Sequence, residues 1–197
     1  MQEKDRLLKK INFLIFFFVL LISKNLIAEN IINKINTYNL NLKNSSASFI
    51  QTNEKGVEEG KISFGEKRIR VDYILPQKIT LIVSNSKGIY INHELRESQF
   101  FNTKKSYIKV FFNIFLKEIE QSYSNINSER ESITLSENIF LDGDEYLIKI
   151  VYENNPVLLR KIEITNIYET LKIGLFDHKI KENFDVSFFS MADPYLE

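Results

Sequence analysis

Residues 60–75 read GKISFGEKRIRVDYIL, and in their second half Ile69, Val71 and Tyr73 alternate with Arg68, Arg70 and Asp72. A period of two places the three apolar side chains on one side of an extended chain and the three charged ones on the other. Such a strand has one greasy and one wet face, as in an antiparallel sheet with solvent on one side. The alternation returns far along the chain in residues 161–165, KIEIT, where Ile162 and Ile164 oppose Lys161, Glu163 and Thr165.

Working outward, short runs of this kind are bounded by Gly, Asn, Asp and Pro: 46–51, 60–65, 67–74, 77–85 and 88–93, then 131–136, 137–141, 145–153, 157–166 and 170–178. Many consecutive short strands with tight turns predict one continuous curled antiparallel sheet. Two stretches have helical spacing instead. Ile31, Ile32, Ile35, Tyr38 and Leu42 form one apolar stripe, ended by Asn44, Ser45 and Ser46; Ile108, Phe111, Phe112, Phe115, Leu116 and Ile119 form another over residues 107–120. Residues 121–130 read as a polar loop, and Pro194 argues against a regular strand in the tail.

The chain has 197 residues, enough for one domain with its own core. Residues 1–28 carry Lys4, Arg6, Lys9 and Lys10 ahead of an apolar run over 13–22, with small Ala28 before Glu29. That run is short for a membrane span and suits a secretory signal, so the expectation is export to the periplasm with cleavage near Ala28 and a single domain over 29–197. The whole chain has 26 basic and 26 acidic residues; removing 1–28 takes five basic and two acidic groups and leaves 21 against 24, a net of −3. No basic field is available for a phosphate backbone, so nucleic acid is not expected as a partner. With no cysteine, disulfides, thiolate metal sites and a Cys nucleophile are excluded together.

Chemistry has little to stand on. His93 and His178 are the only histidines, each at the end of a predicted strand, and no G-x-S-x-G elbow, glycine-rich phosphate loop or recognisable metal-ligand spacing accompanies them. The expectation is a non-enzyme without catalytic residues, metal or cofactor. The chain spends its composition on 16 Phe and 9 Tyr. Two readings of the apolar faces stay open: a core in which helices and sheet fill each other, or a cavity that holds an apolar ligand.

Several stretches together resemble the periplasmic outer-membrane lipoprotein carrier family, LolA. They are Ser46-Ala47-Ser48-Phe49-Ile50-Gln51 after an amphipathic helix, Gly60-Lys61-Ile62-Ser63-Phe64, then Arg70-Val71-Asp72-Tyr73 running to Pro76, then Ile82-Val83-Ser84-Asn85-Ser86-Lys87-Gly88-Ile89-Tyr90, and a Phe188-Phe189 pair shortly before Asp193-Pro194. The resemblance implies an α+β fold, an incomplete antiparallel β-barrel of about 10–11 strands with amphipathic helices as a lid over an apolar cavity. It implies a chaperone that shields lipoprotein acyl chains and shuttles them from an inner-membrane releasing ABC transporter to an outer-membrane acceptor protein or membrane, as a monomer. The expected cavity residues are Phe49, Phe64, Ile69, Val71, Tyr73, Leu81, Val83, Tyr90, Ile108, Phe111, Phe112 and Phe115. The family's Arg-Pro pair, whose arginine ties the sheet to the lid through backbone carbonyls, is replaced by Gly65-Glu66, leaving Arg68 and Arg70 as tether candidates or as ordinary solvated charges. The related acceptor is anchored through an N-terminal Cys that this chain lacks, which favours the soluble shuttle. The alternatives are a periplasmic lipid-binding or lipoprotein-sensing module of the same fold, and a filled scaffold that binds only proteins.

Overall fold

The computed structural model describes residues 30–196 except 106–107, 109–114, 116–124 and 142. The expected signal segment therefore lies outside the described residues, as do Phe111 and Phe112.

Eleven strands form one antiparallel sheet. They are β1 (Ser45–Asn53), β2 (Gly56–Phe64), β3 (Ile69–Leu75), β4 (Ile79–Val83), β5 (Lys87–Asn92), β6 (Glu97–Asn102), β7 (Asn125–Ser128), β8 (Ser132–Leu141), β9 (Asp144–Asn154), β10 (Val157–Thr165) and β11 (Thr170–Lys179). Their order is β6-β5-β4-β3-β2-β1-β11-β10-β9-β8-β7. The strands β6 and β7 are the edges and do not pair with each other, so the sheet is not closed. Two predicted runs, 131–136 and 137–141, are one strand, β8. Two strands escape the sequence pattern: β6, and β7 within the predicted polar loop. Both are edges, where one neighbour supplies the pairing and no apolar alternation is required.

On one face Ile133, Leu135, Ile148, Ile150, Tyr152, Leu159 and Ile162 form a buried cluster with Ile31, Ile35 and Leu42 from the helix over residues 30–41 and the turn after it. Tyr38 meets Tyr152 edge-on, with ring centroids 5.9 Å apart. The predicted first helix is therefore present and packs on the sheet through its apolar stripe. Of the second, Ile108 and Phe115 are described, both helical and both in the same cluster; the rest of the expected lid lies outside the described residues.

The other face carries a separate cluster of Ile82, Ile89 and Ile91, covered by Met191 and Tyr195 of the C-terminal segment. No strand forms after Lys179 among the described residues, in line with Pro194.

Aromatic rings lie over two strand glycines. A Cβ at Gly60 would stand 2.2 Å from the Asp72 carbonyl oxygen and 2.8 Å from the Phe49 ring, and one at Gly88 2.4 Å from the Phe101 ring. Backbone cannot retreat as a flexible side chain can. Gly60→Ala is expected to cost about 3 kcal/mol in urea unfolding, the upper range for overpacking; a variant as stable as the parent would contradict this close approach.

Candidate functional site

Between the sheet and the helical residues Ile108 and Phe115 lies a cavity of about 130 Å³. Its walls come from β1 to β4 and from β10 and β11: Phe49, Gln51, Ile62, Ile69, Val71, Tyr73, Leu81, Val83, Ile162, Leu171, Ile173 and Leu175. Gln51 is the one amide among them. Tyr73 Oη donates to Gln51 Oε1 at 3.3 Å, and Gln51 Nε2 donates to the Glu58 carboxylate, so the amide is held at the wall. The register explains why these side chains converge. Ile62 pairs with Val71 and Val71 with Leu81, so each stands on the same face as its neighbour across three strands.

The cavity wall is buried at one end and partly exposed along the rest, Ile62, Val71, Leu81 and Ile173 included. Ile69 and Val83, which pair, are buried, whereas Tyr73, Gln51 and Leu171 are partly exposed. Phe115 lies edge-on to Phe64 at 5.2 Å, and both rings are buried. The two readings of the apolar faces thus hold in different places: the β8 to β10 half is packed against the first helix, and the half built on β1 to β4 and β11 retains space. That space is close to a dry engineered cavity of about 150 Å³ that admits benzene, and below the roughly 300 Å³ at which small-molecule pockets begin.

Eight expected cavity residues line it: Phe49, Ile69, Val71, Tyr73, Leu81, Val83, Ile108 and Phe115. Phe64 instead packs against Phe115 without lining the space, and Tyr90 pairs with Leu81 one strand beyond the wall. Sequence reasoning missed Gln51, Ile62, Ile162, Leu171, Ile173 and Leu175. The alternation in KIEIT marked an inward face for β10, and residues 170–178 read only as a strand, with nothing to say that β11 pairs with β1.

The tether candidates need a correction. Arg68 Nη1 donates to the Phe189 carbonyl at 2.6 Å and Arg70 Nη1 to the Phe188 carbonyl at 2.8 Å. Arg70 also grips Asp72 through Nε and Nη2 and sits 4.4 Å over the Phe188 ring. Both arginines do bind backbone carbonyls, but those of the C-terminal segment on the face opposite the helices. The period of two forces this: with Ile69 and Val71 turned to the cavity, Arg70 between them points away from it.

The two histidines are absorbed in structure. His93 Nε2 is 2.9 Å from Thr80 Oγ1, which donates to Asp72 Oδ1 at 2.7 Å, and His93 Nδ1 is 3.0 Å from Tyr195 Oη. A ring proton on Nε2 satisfies the whole chain, from the Tyr195 hydroxyl to the Asp72 carboxylate. Asp193 nearby accepts from Ser98 Oγ at 2.5 Å, which holds its carboxyl below the usual range. Burial, and then the charge of Arg160, push the His178 pKa down. Among the described residues no group of three or more His, Cys, Asp or Glu side chains is arranged to hold a metal ion.

Together these features define an open half-barrel with an apolar cavity. The fold is shared with an uncharacterized conserved protein from Thermus thermophilus, at a TM-score of 0.54 and 6% identity over 85% of this chain and 96% of that one. LprF from Mycobacterium bovis aligns at a TM-score of 0.40 and 10% identity over 81% of this chain and 95% of that one. No family model and no curated protein matches the sequence.

Arg68→Leu with Arg70→Leu is expected to speed proteolytic loss of the C-terminal segment severalfold while leaving the fold of the sheet intact, since the arginines hold only that segment on the face opposite the cavity. Limited protease digestion beside far-UV circular dichroism checks both halves. For His178 the folded pKa lies below the unfolded value of 6.5, so the unfolded chain takes the proton more readily. Its contribution is complete above pH 6.5 and drains as pH falls below it. Urea unfolding at pH 7.5 and 5.5 should show a smaller loss for His178→Gln than for the parent.

Proposed function

We propose that this chain is an exported carrier that shields the acyl chains of lipoproteins and moves them across the periplasm, from a releasing ABC transporter in the inner membrane to an acceptor at the outer membrane. The observation that carries this reading is the apolar cavity under an unclosed sheet, with one amide at its mouth. The physical need is plain: each exposed CH₂ costs on the order of 0.8 kcal/mol, so three long chains in water cost roughly 30 kcal/mol or more. A carrier must bind such chains by shape-tolerant apolar contact and release them again, and walls that are aliphatic and aromatic apart from Gln51 and the Tyr73 hydroxyl agree with that demand. The fold shared with the Thermus protein and the residue resemblance to the lipoprotein carriers agree with it.

The cavity as it stands takes the end of one chain. Cargo loading on this reading withdraws Phe115 from Phe64 and widens the space that Phe49 and Leu175 already line, with the helical stretch that carries Ile108 and Phe115 acting as the lid. The limited volume favours a second reading, a periplasmic module that binds a single-chain lipid or senses stray lipoprotein.

The test is binding of a triacylated lipopeptide and of a single-chain fatty acid by fluorescence displacement, followed by release of lipoprotein from inner-membrane vesicles with an energised transporter. Carrier function predicts uptake of the triacylated ligand and release above a buffer control. Fatty-acid binding alone would favour the second reading, and binding of neither would defeat both. Val71→Asp with Ile173→Asp, which sets two charges against the cavity walls, is expected to weaken binding by about tenfold or more.

A further inference from the structure

Turns of the sheet fall at two ends, and the ends differ. The turns β1–β2, β3–β4, β5–β6, β8–β9 and β10–β11 share one end, because Thr52 pairs with Lys172, Tyr73 with Ile79, Ile79 with Asn92 and Leu147 with Thr165. Every one of the five carries a large exposed apolar side chain in or beside the turn: Val57, Leu75, Leu95, Phe140, and Ile167 with Tyr168. Phe140 is 74% exposed and Ile167 84%. At the other end the hairpin turns over residues 65–68, 84–86, 129–131 and 155–156 carry none, and the exposed apolar side chains near that end, Leu40, Ile180 and Val186, belong to the helix and the C-terminal segment instead. Turns are polar by default, so apolar tips at every hairpin turn of one end and at no hairpin turn of the other are an asymmetry of the sheet.

Three of these turns are stiffened in the same way. Asn53 Oδ1 accepts from the backbone N–H of Lys55 and Gly56, Asn92 Oδ1 from those of Glu94 and Leu95, and Asn166 Oδ1 from those of Tyr168 and Glu169. The apolar tips are therefore held in place. The cavity-lining residues nearest this end, Gln51, Tyr73 and Leu171, are partly exposed, whereas Ile69 and Val83 toward the other end are buried. Separate apolar points spread across the width of the sheet, with charges between them, suit a fluid interface that closes round each point; a protein partner needs one contiguous patch. Around the turns Glu54, Glu58, Glu59, Glu94, Glu97, Asp144, Glu145 and Glu169 outnumber Lys55, Lys78 and Arg96, so an anionic lipid surface would be repelled and a zwitterionic one would not.

We propose that this end of the half-barrel is a docking rim for a zwitterionic lipid bilayer, seating the five turns in the interface with the cavity mouth facing the lipid. An acyl chain then passes between bilayer and cavity without crossing water; that passage rests on the carrier reading, whereas the docking does not.

The chain contains no cysteine, so Ile167→Cys and Asn155→Cys each give the full chain a single site for an environment-sensitive dye, one at each end of the sheet. With phosphatidylcholine vesicles, the dye at 167 should shift to the blue and be quenched by brominated phosphatidylcholine, and the dye at 155 should not. This comparison of ends is unaffected by other segments that bind vesicles. Adding Phe140→Asp and Tyr168→Asp should cut the quenching at 167 by more than about half, with circular dichroism and fatty-acid uptake in solution unchanged. Replacing the lipid by phosphatidylglycerol should weaken it. No quenching at 167, equal quenching at both ends, or stronger quenching by the anionic lipid would overturn the proposal. Quenching at 167 in a protein that takes up no fatty acid would uphold the rim and defeat the carrier reading.

Discussion

One strand pairing joins this molecule. Every other pair in the sheet links neighbours in the sequence, but β1 pairs with β11, from Ser46 with Lys179 to Thr52 with Lys172. This contact sets a six-strand meander against a five-strand one and closes a loop of well over a hundred residues, so its entropic cost must be met by the apolar faces it brings together. The cavity depends on it directly, since its walls lie on both sides of that seam: Phe49, Ile62 and Val71 from one meander, Ile173, Leu175 and Ile162 from the other.

An unclosed sheet must also cover two apolar faces. The helix over residues 30–41 fills one side beneath β8 to β10, and the C-terminal segment is strapped across the other by Arg68, Arg70, His93 and Ser98. Because the strap takes up the charged face of β3 and its neighbours, the cavity face needs no polar anchor of its own beyond Gln51. Space is left where Ile108 and Phe115 meet the sheet, and its lining is partly exposed toward the end where the turns carry apolar tips. A greasy interior and a greasy rim at one end of the molecule give the fold a direction.

Much of this was legible in the residues. The alternation at Ile69, Val71 and Tyr73 placed these three on one wall, and the stripe from Ile31 to Leu42 marked a helix that does pack on the sheet. The same alternation already contained the fate of Arg70, which cannot reach a helix on the cavity side, although the family resemblance pointed there. Edge strands β6 and β7 were invisible because an edge needs no periodic apolar face, and the contribution of β10 and β11 to the cavity was invisible because nothing local says which distant strand they join.

Sequence by itself determined nine of the eleven strands, the inward face of those that alternate, and the first amphipathic helix, since these follow from a period of two or of 3.6 that every neighbouring residue enforces. Tertiary structure alone decided which half of the interior is filled and which is hollow, what the arginines hold, and that the hairpin turns with apolar tips share one end. Those outcomes depend on pairing across the β1–β11 seam and on side chains far apart in the chain meeting in space, and no local periodicity carries that information.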